Sequence, residues 1–255
     1  MPLCKLCRSE ANLVDAHIIP ESFFRAINRS GGPLQIVSND PLIHPKRAPI
    51  GVYDQNLVCR SCEDRFAPWD SYAADLLINR RDTQFRSFLT AEGLIPPATM
   101  ASDVDYPNLR LFVLSLLWRA AASSHPYFAK IEIDGQVNQL RELVLAADVG
   151  KQPDFPTVFC RWVDERSILA GQFMVNPYEY KSTRGAAMAR FFMGSFILDI
   201  QVDNSPLPDF LASVALAPNG PLYVIHRELI GSNDLNALEP AFRNVAAKAQ
   251  KKRDR

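Results

Sequence analysis

The stretch NLVCRSCEDRF, residues 56–66, runs from an apolar triplet through a C-x-x-C pair into a helix-like segment. A second pair, CKLC, lies at residues 4–7. A C-x-x-C brings two thiols within reach of one ion, because a tight turn or a first helical turn holds their Sγ atoms together. Cys4, Cys7, Cys59 and Cys62 thus offer four soft thiolates, the donor set of a tetrahedral Zn²⁺. A bound ion of this kind keeps the thiols deprotonated and closes a long loop, with folding free energy on the order of 10 kcal/mol in small metal domains. A redox C-x-x-C would follow a βαβ pattern and need no second pair. Structural zinc is therefore expected. The fifth cysteine, Cys160, sits in the strand-like TVFCRWV and reads as a small buried apolar residue.

Working outward, ANLVDAHII reads as a strand, NLV as a second, and CEDRFAPWDSYAADLLI as a helix. A knuckle, a hairpin and a helix sharing one ion make a treble-clef arrangement of the ββα-metal kind. Its hairpin carries His17, in VDAHIIPES, residues 14–22. Gly31 and Gly32 in RSGGPLQ read as a turn between the two strands.

The module is expected to span residues 1–90. A linker follows at 91–107, where Pro96, Pro97 and Pro107 disfavour long regular structure. Residues 108–255 form the remainder. PNLRLFVLSLLWRAAASSHP, apolar around most of its circumference, predicts a buried helix ending at Pro126. IEIDGQVNQLRELVLAADVG predicts a turn and a second helix closing at Gly150. TVFCRWV, ILAGQFMVN, SFILDIQV and PLYVIH predict strands, while TRGAAMARFFMG reads as helix or strand. LEPAFRNVAAKAQKKRDR looks like a short helix with a basic tail. The fold class is α+β with a mostly antiparallel sheet.

The 28 basic and 28 acidic side chains balance. This argues against a protein that coats nucleic acid through a general basic excess and leaves room only for a local surface. The most apolar run holds Arg110 and Arg119 and is too short to span a bilayer, so no membrane association is expected. MPLCKLC lacks the features of a signal peptide, and a cytoplasmic location is expected.

At this point the chain resembles the HNH nuclease superfamily in its zinc-supported form. The resemblance covers residues 4 to about 66 and is carried by CKLC, DAHIIP and GVYDQNLVCRSCE. The family pattern is C-x-x-C, then an Asp or His before HI-x-P, then NL-x-x-LC-x-x-CH. It implies that His17 is the general base activating water against a phosphodiester, that Asn56 holds the catalytic loop, and that the four cysteines hold zinc. Two positions depart from it. Ala16 stands where the family has a metal-binding Asp or His, and Glu63 stands where it has a histidine. A carboxylate suits a hard divalent ion such as Mg²⁺, so Glu63 is the expected catalytic-metal ligand. Asp15, on the same side of an extended strand as His17, can replace the lost ligand or orient the imidazole. Asp70 is a weaker candidate. The chain is also similar to uncharacterised bacterial HNH-like proteins, through its HIIP and CE segments and, downstream, LSLLWRAA and QLRELVLAA.

Two readings follow. In the first, the chain is an HNH-type endonuclease, with DNA favoured over RNA as substrate. In the second, it is a degenerate module that only docks nucleic acid or a protein partner, a second copy of itself included. Arg80, Arg81 and Arg86, with Lys46 and Arg47, are the expected phosphate-binding residues, against the alternative of ordinary surface charges. His44 is a minor candidate metal ligand. His125, before a proline, is expected to cap.

Overall fold

The computed structural model describes residues 1–28, 35–37, 46–47, 51–88, 97–133, 135–152, 154–163 and 173–229, then 232, 235–236, 238–240 and 243. In chain order the elements are β1 (Ala16–His17), α1 (Glu21–Asn28), β2 (Gln35–Val37), β3 (Lys46–Arg47), β4 (Tyr53–Asp54) and α2 (Arg60–Ala74), which runs into a π-helical turn at Asp75–Asn79. Then come α3 (Arg81–Gln84), β5 (Arg86–Phe88), β6 (Ala98–Ala101), α4 (Tyr106–Ala122), a 3₁₀ turn at Pro126–Phe128 and α5 (Val137–Ala146). The rest is β7 (Thr157–Trp162), β8 (Phe173–Val175), β9 (Tyr178–Lys181), β10 (Ala187–Met193), β11 (Phe196–Gln201), α6 (Asp209–Val214) and β12 (Leu222–Arg227).

The chain is α+β. The largest sheet has the order β5-β6-β12-β7-β11-β10-β9, and only its β12–β7 pair is parallel. TRGAAMARFFMG resolves to β10, whose alternating ladder with β11 runs from Met188↔Gln201 to Met193↔Phe196. The expected linker is partly regular. Pro96 and Pro97 precede β6 rather than interrupt it, and β6 pairs with both β5 and β12. Pro107 lies in the first turn of α4, where its missing N–H has no intrahelical role. The Asp105 side chain caps that turn by accepting from the Asn108 N–H at 3.1 Å.

Helix α4 ends at Ala122, four residues before Pro126, and α5 ends with Ala147 in the left-handed region rather than at Gly150. From Leu109 to Ala120 every residue of α4 is buried, as its all-round apolar pattern requires. One apolar cluster joins both ends of the chain through this helix. It includes Leu6, Ile18, Phe24, Leu57 and Phe66 of the amino-terminal part, and Phe159, Leu198 and Val224 of the sheet. Gly51 lets β4 approach α1: its φ is +95°, and a Cβ there would sit 2.6 Å from the Phe24 ring. No helix among the described residues is long and apolar enough to cross a membrane. Gly31, Gly32, His44 and most of the expected C-terminal helix lie outside the described residues.

Candidate functional site

The first C-x-x-C forms a knuckle. Leu3 bridges Glu10, the Cys4 N–H donates to Ser9 O at 2.9 Å, and the Arg8 N–H to Cys4 O at 2.8 Å. Arg8 turns the chain with φ of 62°. The second pair begins α2, with Cys59 as its N-cap in extended conformation and Cys62 in its first turn. Two bonds join the pairs: Lys5 N–H to Leu57 O at 2.9 Å, and Cys59 N–H to Cys4 Sγ at 3.4 Å.

All four Sγ atoms lie within 4.8 Å of one another, and those of Cys7 and Cys59 are 3.9 Å apart. A tetrahedral ion with metal–sulfur bonds of about 2.3 Å puts its sulfurs about 3.8 Å apart, so the four can hold one metal ion. Burial pushes the Cys4 and Cys62 thiols up. Burial opposes ionisation of Cys7 too, but the backbone and hydroxyl of Ser9 bring it down to about 6. An ion must therefore displace protons from the buried pair.

One helical turn past the cysteine cluster, α2 supports the β1–β4 pair. Cys62, Phe66, Trp69 and Ala73 form its buried face. Glu63 and Asp70, seven residues apart, lie together beside that face. Strand β1 pairs with β4 in the register Ala16↔Asp54 and His17↔Tyr53. Ala16 is buried, whereas His17 is half-buried with its ring edge-on to Tyr53 at 6.0 Å.

The peptide groups of His17 are held from both sides. Its carbonyl accepts from Arg119 Nη1 at 2.8 Å, and its N–H faces the Glu63 carboxylate. Arg119 is 0% exposed and lies over the Phe66 ring at 4.7 Å. It grips Asp70 with two bonds of 2.9 and 2.7 Å and bonds the Ser115 carbonyl and hydroxyl, both at 3.2 Å. All five guanidinium N–H groups are thereby used.

Burial pushes the Glu63 carboxyl up, the charge of Arg119 pulls it back, and Asp70 adds to the rise. Its Oε2 is buried and has no hydrogen-bond partner among the described residues. Burial also raises Asp70 against the pull of Arg119, with a smaller attraction from His17.

Asp54, which carried no signal in the sequence, ties the hairpin to the end of α4. It is 4% exposed and accepts from Asn56 N–H at 2.8 Å, Ser123 hydroxyl at 2.7 Å and Ser124 N–H at 2.8 Å. Burial alone would raise this carboxyl, but the bonds from Ser123, Asn56 and Ser124, with the charge of Lys5, outweigh it and hold it low. The stabilisation is present above the unfolded-state carboxyl value of about 3.9 and is lost as pH falls through the lower folded value. Asp54→Ala is expected to lower stability by about 3 kcal/mol at neutral pH. It should also flatten the acid limb of the stability curve. Urea melts between pH 2 and 7 measure both, and an unchanged acid limb would remove Asp54 from this role.

The other expected site residues are more scattered. Asp15 is exposed and accepts from Gln55 Nε2 at 2.9 Å. Asn56 is exposed, and its N–H is the group that Asp54 holds. Arg80 pairs with Asp75 at 2.7 Å and lies over Tyr72. Arg86 is exposed on β5 at the sheet edge. Lys46 and Arg47 form β3 and Arg81 begins α3, but their side chains lie outside the described residues. His125 caps the 3₁₀ turn, its Nδ1 accepting from Tyr127 N–H at 3.1 Å.

Among the described residues the four cysteines are the sole His, Cys, Asp or Glu group spaced to hold a metal, so His17, Asp15 and Glu63 do not converge as a ready-made second centre. Arg119 had a signal that went unused. A charge inside an apolar run such as LSLLWR must find a buried partner. The chain matches no family model, no curated protein and no solved structure.

Proposed function

We propose that the chain is an HNH-type endonuclease whose treble-clef module is closed by a structural Zn²⁺ on Cys4, Cys7, Cys59 and Cys62, with His17 as general base. The observation that carries this reading is the two-sided hold on the His17 peptide. The buried Arg119 guanidinium holds the carbonyl and the half-buried Glu63 carboxylate faces the N–H, while the imidazole is left half-exposed. A histidine that merely fills a hairpin needs no such support.

In this reading the imidazole accepts a proton from water as the water oxygen bonds to phosphorus, and the bond to the leaving oxygen then breaks. Among the expected ligands, Glu63 would supply a carboxylate to a hard divalent ion, its buried Oε2 having no partner among the described residues. Mg²⁺ is commonly held by one or two carboxylates with substrate phosphate and water. Such an ion supplies, when bound, neutralisation of the charge developing on the phosphorane and leaving oxygen. Asp70 is committed to Arg119, so it supports the site rather than ligating. Of the expected phosphate-binding residues, Arg86 is exposed on β5 and would be open to a phosphate.

The test is cleavage of plasmid DNA and of RNA with Mg²⁺, Mn²⁺ or Ni²⁺. His17→Ala is expected to slow cleavage by about 10²–10⁴-fold with an unchanged melting curve, because its anchors grip the backbone. Glu63→Gln should also lose activity, while its melting temperature holds or rises, since an amide escapes the burial penalty on a charge. Undiminished activity in His17→Ala removes the base.

A second reading, a module that only docks nucleic acid or protein, is favoured by one observation: no second metal-ligand group is assembled among the described residues. Absence of cleavage with every ion and substrate, together with retained DNA binding, would select it.

A further inference from the structure

Among the described residues three arginines are almost completely buried, and two of them meet a carboxylate. Arg119 holds Asp70. Arg190 holds Asp199 with bonds of 2.6 and 2.8 Å. Arg110, on the amino-terminal half of α4 and 3% exposed, meets only backbone oxygens among the described residues: Val149 O at 3.2 Å, Phe155 O at 2.8 Å and Asp154 O. The Asp154 carboxylate acts on it only at longer range, and burial pulls its charged form down. A guanidinium has five donors, and three are used. One N–H therefore remains on each terminal nitrogen, the number a carboxylate takes in a two-bond pairing.

Arg110 lines a cleft of about 440 Å³ bounded by α4, the segment before β7, the end of β11 and α6. That volume suits a small molecule. Tyr106 and Leu216 supply apolar wall. Gln201, also lining the cleft and 2% exposed, has its amide nitrogen committed to Asp203 Oδ1 at 2.9 Å and to Ser205 O. The amide oxygen must then face away from those acceptors, and it has no partner among the described residues. Among the described residues the cleft thus combines a cation with no carboxylate bonded to it, an unused acceptor and an apolar wall.

We infer that this cleft binds a small organic carboxylate on an apolar body, the carboxylate pairing with Arg110 and a donor group of the body reaching the Gln201 amide oxygen. A carboxylate fits better than a phosphate dianion, because the Asp154 carboxylate shares the cleft and repels a second negative charge more strongly. The inference does not depend on the nuclease reading.

The test uses the full chain and three probes at fixed ionic strength: benzoate, phenylacetate and indole-3-acetate, each beside its neutral amide. At least one carboxylate is expected to raise the melting temperature and, by calorimetry, to bind at least tenfold more tightly than its amide. Arg110→Gln should abolish that preference. Because this change can also unfold α4, Ala212→Trp is the second variant. Ala212 is exposed on α6 and lines the cleft, so the indole blocks the cleft without entering the core, and binding should disappear while the fold stays intact. No shift with any carboxylate, equal binding of the amides, or unchanged binding in Ala212→Trp would each overturn the assignment.

Discussion

Replacing Cys59 with serine is expected to release one metal ion per chain and to unfold the amino-terminal hairpin while the large sheet persists. The reason lies in how little regular structure joins the two cysteine pairs. Leu3–Glu10 and Leu13–Cys59 are isolated bridges, and β1 and β4 have two residues each. Such short ladders are marginal without support. A tetrathiolate ion in small metal domains contributes on the order of 10 kcal/mol, more than the whole net stability of many domains.

Elemental analysis should find one zinc per wild-type chain and none in Cys59→Ser. Amide exchange should accelerate over residues 1–28 and 51–59, and much less in α4, whose burial continues into the sheet cluster. Cys160→Ala is the control, because Cys160 lies in β7 and packs in a separate apolar cluster. It should keep its metal. Wild-type protein free of tightly held transition metal would refute the structural role.

Arg119→Met should be the most damaging single change away from the cysteines. Removing one partner of a buried pair leaves the other charge uncompensated, at about 3–5 kcal/mol. Here it would strand the Asp70 carboxylate and also free the His17 carbonyl and the Ser115 hydroxyl. For a chain of this length that is a fall in melting temperature of roughly 6–20 °C.

The double variant Asp70→Asn/Arg119→Met should recover part of the loss, since the Asp70 charge is removed together with its partner. A double-mutant cycle then gives a coupling of about 2 kcal/mol or more. Additive losses would show that the pair is not coupled. If His17 is the base, cleavage should stay impaired even in the recovered double variant, because its carbonyl still lacks Arg119. Full recovery of rate would separate Arg119 from the positioning of His17.

Much of the architecture was legible because it is written in short-range spacing. C-x-x-C, the all-round apolar α4 and the β-branched and aromatic residues of SFILDIQV each encode their element within a few residues. Errors fell where local signals were ambiguous. Three prolines suggested a linker, yet two of them only precede β6 and the third opens α4. TRGAAMARFFMG became a strand because neighbours on both sides, β9 and β11, complete its ladder.

By itself, then, the sequence determined the α+β class, the four cysteines that gather and the histidine in the adjoining hairpin, all set by residue type and spacing. Only the tertiary structure decided what surrounds that histidine. Arg119 reaches Asp70 across 49 residues and His17 across 102, and Asp54 reaches Ser123 across 69. Pairing at such separation follows from how α4 packs on α2 and the hairpin. A buried charge announces that it needs a partner, but only the packed chain shows which one it has.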